Sequence, residues 1–209
     1  MILTPIDRDR LPAVLAQFEA GLADRFARTV FRRIAVPAQA ERAAGAAAVA
    51  DRRAAIDLLA SFGMGLRPGS PGQDFNWDGT AARSDTEAYV LLHEAAHFQL
   101  AAPTRRQRID FGLGPGPDTG RREAAEAAAT IFGLEREREE AMASLLGILW
   151  EVELGQPALA SFLDQNWLEG AGRSAAAHFC HVLDALAAGG FLTAEGRPAR
   201  ALRETPDAL

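Results

Sequence analysis

The chain has 209 residues, a net charge of -6, 48% hydrophobic and 24% charged residues, which are the proportions of an ordinary globular domain. A chain this size buries a core without disulfides or a structural metal, and its acidity excludes broad nucleic-acid binding, which needs a basic face. No apolar run approaches the ~20 residues of a membrane span, residues 1–10 lack the apolar stretch of a secretory leader, and the single cysteine, Cys180, fits a reducing cytoplasm.

Every basic residue is arginine; the chain contains no lysine. That removes Schiff-base chemistry, pyridoxal-phosphate attachment and a P-loop lysine. Carboxylates, arginines, hydroxyls, one thiol and four histidines remain, and the histidines fall in two pairs, His93/His97 and His178/His181.

In chain order, residues 11–33 are predicted helical. Leu11, Leu15, Phe18, Leu22 and Phe26 recur at helical spacing, and Pro12 is tolerated in the first turn. Residues 29–36 either continue that helix or form a short strand, and Pro37 ends the segment. Alanine-rich residues 38–60 read as a second helix. Residues 62–83 are dense in glycine and proline and read as a long surface loop, of the kind used as a lid or binding loop. Ser84-Asp-Thr-Glu87 matches a capping box and opens a helix to about residue 101, stopped by Pro103. Residues 102–120 form a second irregular stretch, after which Asp118 or Thr119 caps a helix through 131. Residues 134–154 form a strong helix with Met142, Leu145, Leu146, Leu149 and Val152 on one face. Shorter helices follow at 157–168 and 174–188, then a charged tail at 196–209. The expected architecture is a single compact helical domain over 1–209, mainly α with room for a small minor sheet. No repeat and no composition shift divides it.

The chemistry concentrates in His93-Glu94-Ala95-Ala96-His97, an H-E-x-x-H motif. Histidines at i and i+4 stand one turn apart on one helix face, so both imidazoles reach a single metal ion. Glu94 lies to the adjacent side, where a carboxylate meets water at the metal as a general base. Such a zincin-like helix needs a third ligand, and no third histidine follows at short spacing. Extending the apolar face of 134–154 backwards from Met142 reaches Glu139 and Glu135, an i,i+4 acidic pair prolonging a core-facing stripe. Glu135 is the expected third ligand, with Glu139 the alternative and Asp110 a further candidate. The bland alternative is a solvated charge run of Glu–Arg pairs. His178-Phe179-Cys180-His181 has no partner pair at zinc-finger spacing, and its setting reads as an amphipathic helix packing a core, with a supporting role beside the metal as the alternative. Gly112-Leu-Gly114-Pro-Gly116 only superficially resembles a nucleotide loop, since no strand precedes it and no lysine follows.

The chain resembles the elongation factor P hydroxylase family. The residues carrying the resemblance are His93-Glu94-Ala-Ala-His97, then Arg105-Arg106, then Asp110-Phe111-Gly112 with Pro117-Asp118 after it, followed by a glutamate-bearing helix around 135–139. Weaker likenesses run through 18–26, Asn166-Trp167-Leu168 and 197–202. After Asp-Phe-Gly, where the family has an aromatic-rich stretch, this chain has Leu-Gly-Pro-Gly-Pro. The resemblance implies a two-histidine, one-carboxylate site for non-haem Fe(II), with His93, His97 and Glu135 as ligands. It also implies oxygen-dependent hydroxylation of a modified lysine on an elongation factor P-like protein substrate. The motif alone favours a zinc hydrolase of the gluzincin kind with Glu94 as general base, while the wider resemblance favours iron. A third reading is a protein that uses the metal or the helix face for structure or partner binding.

Overall fold

The computed structural model describes residues 6–70, 74–116, 119–169 and 173–206. Its helices, in chain order, are α1 (Leu11–Gly21), α2 (Arg25–Ile34), α3 (Gly45–Ser61), α4 (Ala88–Leu100), α5 (Arg122–Ala128), α6 (Gly133–Glu153), α7 (Ala158–Asp164) and α8 (Arg173–Ala188). The strands are β1 (Gly65–Arg67) and β2 (Ala81–Arg83), paired in parallel with Gly65 opposite Ala81. The architecture is mainly α, and this two-stranded ribbon is the minor sheet. No helix among the described residues is long and apolar enough to cross a membrane.

The helix expected over 11–33 is two helices. Leu22 turns extended after α1, and the Asp24 side chain accepts a hydrogen bond from Ala27 N (2.7 Å), so it caps α2. Pro37 opens a short 3-10 turn instead of continuing into α3, which begins only at Gly45. The capping box at Ser84 does not form. Ser84 Oγ donates to Arg67 O (3.0 Å), prolonging the β1–β2 pairing, and α4 begins after Glu87 without a side-chain cap. Of the two expected caps for α5, Asp118 lies outside the described residues, and Thr119 donates its hydroxyl to Asp110 Oδ2 (2.8 Å) while α5 starts at Arg122.

The chain folds as two units. Each draws on separated stretches of sequence, so no change of composition along the chain marks the boundary. The first unit, Met1–Ala43 with Ile148–Ala199, contains α1, α2, the last turns of α6, α7 and α8. Its core is aromatic. Phe18 meets Phe31 at 4.8 Å between ring centroids, Phe162 edge-on at 5.8 Å and Phe179 edge-on at 5.7 Å, geometries that the ring quadrupoles favour. A Cβ on Gly21 would lie 3.1 Å from Ala176 Cβ, so this glycine lets α1 close on α8.

The second unit, Ala44–Gly147 with Arg200–Leu209, holds α3, the ribbon, α4, α5 and most of α6. The helix α4 packs on α3, and both bury apolar residues, Leu91, Leu92, Ala95 and Ala96 on α4 and Ala55, Leu58 and Leu59 on α3. The tail crosses α4's C-terminal end, with Gln99 Nε2 donating to Ala201 O (2.8 Å) and Arg203 N to Gln99 O (2.8 Å). These contacts hold α4 still at the end next to His97.

Candidate metal centre

The two motif histidines lie on α4 one turn apart, as their spacing requires. Their rings meet edge to face, and the Nε2 atoms face each other at 3.0 Å. Opposite them stands α6. A Cβ on Gly147 would sit 3.2 Å from His93 Cα and 3.3 Å from His93 N, so the glycine eases the close crossing of α6 over α4. Glu140, Ser144 and Gly147 follow an i, i+4, i+7 stripe and so share the crossing face. Glu140 Oε2 therefore lies 3.4 Å from His97 Nε2 and 3.7 Å from His93 Nε2.

These three atoms test whether a metal fits. The circle through points with those separations has a radius of about 2.0 Å, close to the roughly 2.0–2.2 Å of imidazole and carboxylate bonds to a divalent transition metal. Two imidazoles and one carboxylate are also the donors such an ion takes, with positions left open beyond them. The side chains of His93 (27% exposed) and Glu140 (39%) leave that side open, while His97 (5%) closes the other.

The carboxylate that completes the cluster is thus neither Glu135 nor Glu139. Glu135 is exposed in the first turn of α6. Glu139 is buried, and both its oxygens accept from Arg105, Nη1 to Oε1 at 3.0 Å and Nη2 to Oε2 at 2.6 Å. The apolar stripe used to extend the helix face leads to Glu139 because that position faces the protein interior. The signal pointing to Glu140 was the small-residue stripe of Ser144 and Gly147, which marks a helix crossing.

Behind His97 the chain makes an uncommon turn. Asp110 (φ 43°) and Phe111 (φ 54°) are both left-handed and run into Gly112 (φ 72°). Two successive non-glycine residues in this region cost roughly 1–2 kcal/mol each, and such strain tends to collect at functional sites. The turn stacks Phe111 between His97 (5.7 Å, 24°) and Trp77 (5.3 Å, 6°). Trp77 comes from the loop between the strands, where its indole donates to Arg106 O (2.8 Å) and its carbonyl accepts from Asp110 N (2.9 Å). Asp110 spends its carboxylate on Thr119 Oγ1 and on Trp77 N (3.4 Å), so it braces the turn and lies outside the donor set. His97 Nδ1 is buried without a hydrogen-bond partner, its hydrogen-bonding capacity unspent.

Charge in the centre is tightly coupled. Burial would lower the His97 pKa, but the charge and hydrogen bond of Glu140, with Glu94 and Glu139 behind them, outweigh it and raise it to about 9. Burial and the neighbouring His97 charge push His93 down. Against burial, the facing imidazoles hold Glu140 far below the usual carboxylate range. Burial raises the Glu94 pKa to about 8 despite the His97 charge, so the acid is largely protonated at neutral pH. Burial likewise lifts Asp110, against its bonds to Thr119 and Trp77.

No family model, curated protein or solved structure matches this chain. Among the described residues, His93, His97 and Glu140 are the group of donors close enough to share an ion. The second histidine cluster does not join them. His178 and His181 are exposed on α8 in the first unit, His178 stacks on Trp167 at 5.4 Å, and Phe179 enters the aromatic core. Of the glycines at 112–116, Gly112 completes the left-handed turn, and its carbonyl accepts from Thr130 N (2.7 Å).

Proposed function

We propose that this protein is a metalloenzyme of the two-histidine, one-carboxylate kind, with His93, His97 and Glu140 as ligands and Fe(II) as the metal. We read it as a cytoplasmic hydroxylase resembling the elongation factor P hydroxylases. The observation that carries the reading is the triangle of Nε2, Nε2 and Oε2, whose dimensions suit one transition-metal ion. A second observation supports the family resemblance. Several of its residues lie beside that triangle, with Phe111 stacked on His97 and Arg105 bonded to both Phe111 O and Glu139.

Ferrous iron with open positions supplies dioxygen activation for inserting oxygen into a C–H bond, with a two-electron reductant balancing the second oxygen as water. The chain's own residues orient and exclude. Phe111 fixes the plane of the His97 ring, and the apolar wall of Trp77 and Phe111 keeps water from the closed side. Glu94, largely protonated at neutral pH, holds a proton beside the centre. The chain has no lysine, so a modified lysine as substrate belongs to a partner protein of the elongation factor P type.

A zinc hydrolase is the second reading, favoured by one observation. Glu94 is a buried carboxyl directly after the first histidine, the motif position of a general base that takes a proton from metal-bound water; it would act there as the carboxylate, its own proton displaced by the charge of the bound ion. Metal analysis of protein purified with and without air separates the two. Iron is expected, with oxygen consumed when a modified-lysine protein is supplied. Stoichiometric zinc, together with peptide cleavage that disappears in Glu94→Gln, would overturn the hydroxylase.

A further inference from the structure

We infer that Arg105 is the positioning residue of this centre, one guanidinium that fixes both the helix face carrying Glu140 and the turn backing His97. The inference rests on the metal reading above. Arg105 is 2% exposed. Its fork grips both oxygens of Glu139 (3.0 and 2.6 Å), and Nη1 also donates to Phe111 O (2.9 Å).

The planar fork allows one orientation of the carboxylate it holds. Successive residues of an α-helix point about 100° apart. With Glu139 held on one side of α6, Glu140 must point to the next, where the two Nε2 atoms wait. The rotation of α6 is thus set by Arg105 near Glu139 and, two turns on, by the close crossing at Gly147. The third bond acts on the turn. The Phe111 carbonyl belongs to the left-handed Asp110–Phe111 pair, and holding it keeps the ring against His97.

A buried ion pair is a poor device for stability alone, since well-packed apolar residues often serve as well or better. Its distinctive contribution is direction, and that separates a positioning role from a structural one.

The test uses the full chain in four forms: wild type, Arg105→Lys, Arg105→Met, and the double variant Arg105→Met with Glu139→Met. Cobalt(II) chloride is titrated and followed by visible absorption, and the imidazole nitrogen signals of metal-free protein are read by NMR. The double variant replaces the pair with apolar side chains and is expected to fold. Cobalt should bind it 10- to 100-fold more weakly, the loss typical of removing support around a ligand. Its visible spectrum should change, and the His93 and His97 Nε2 signals should move as Glu140 turns away. Arg105→Lys keeps the charge without the fork, so it should fall between this variant and wild type; it also serves if the apolar variants do not fold. Unchanged cobalt affinity, spectrum and Nε2 signals in folded double variant or in Arg105→Lys would overturn the proposal, leaving the pair a staple. Failure of wild type to bind cobalt would end the metal reading instead. The Nε2 signals would then decide the role of Arg105, movement supporting it and no movement overturning it.

Discussion

Three glutamates on one helix should respond differently to the same chemical change. Replacing Glu140 with Gln leaves side-chain size nearly untouched but removes the charge of the donor 3.4 Å from His97 Nε2 and 3.7 Å from His93 Nε2. Residues that only support metal ligands cost about 10–100-fold in affinity when lost. Loss of a ligand should therefore exceed about 100-fold, or about 2.8 kcal/mol at 1.4 kcal/mol per decade. Glu139→Gln breaks a buried bidentate pair with Arg105. It should cost about 3–5 kcal/mol of stability and weaken metal binding only within the 10–100-fold band. Glu135 is exposed, so Glu135→Gln should change stability by no more than about 0.5 kcal/mol and leave affinity alone. Competition of zinc or cobalt against a chromophoric chelator gives the affinities, and thermal unfolding of the same samples gives the stabilities. The reasoning fails if Glu140→Gln binds metal like wild type, and most directly if Glu135→Gln is the variant that loses it.

Phe111→Ala removes a 1%-exposed ring stacked on both Trp77 and His97; a loss of about 3–5 kcal/mol is expected, seen as a Tm fall of about 6–20 °C by circular dichroism, together with weaker metal binding. Gly112→Ala places a Cβ 2.6 Å from Thr130 Oγ1 at φ +72°; the left-handed backbone alone costs about 1–2 kcal/mol, so Tm should drop by at least about 2 °C, and an unchanged Tm would count against the turn as described. Asp24→Ala removes the α2 cap in the other unit; it should cost about 1 kcal/mol in chemical denaturation and leave metal affinity unchanged.

The elements that could be read from sequence are those whose cause is local. The periodic apolar residues of α6 and the glycines that follow α8 carry their own signal, and those two helices lie within a residue of expectation; α4 ends where Pro103 requires but starts at Ala88, later than its expected cap at Ser84. Reading failed where a distant partner outbid a local preference. Ser84 has the chemistry of a helix cap, but its hydroxyl is taken by Arg67 O, seventeen residues earlier. Thr119 likewise gives its hydroxyl to Asp110, because the strained turn there needs a donor for a buried carboxylate. The segment 62–83 is marked as a loop by its density of glycine and proline. Its parallel ribbon and the seating of Trp77 against Phe111 depend on pairings that no local pattern encodes.

The same distinction explains which carboxylate faces the two histidines. His93 and His97 were legible because both lie on one helix and a five-residue spacing fixes their geometry. The carboxylate comes from a second helix, and its choice depends on how two helices cross. Following the apolar face of α6 leads to the residue that points inward, and inward at Glu139 there is a buried arginine. A ligand facing another helix belongs on the stripe where the backbones come closest, which small residues mark. On α6 that stripe runs through Gly147, whose missing Cβ admits the His93 backbone, and Ser144 to Glu140. Adjacent glutamates thus divide the work, Glu139 holding the helix in its orientation and Glu140 using that orientation to face the histidines.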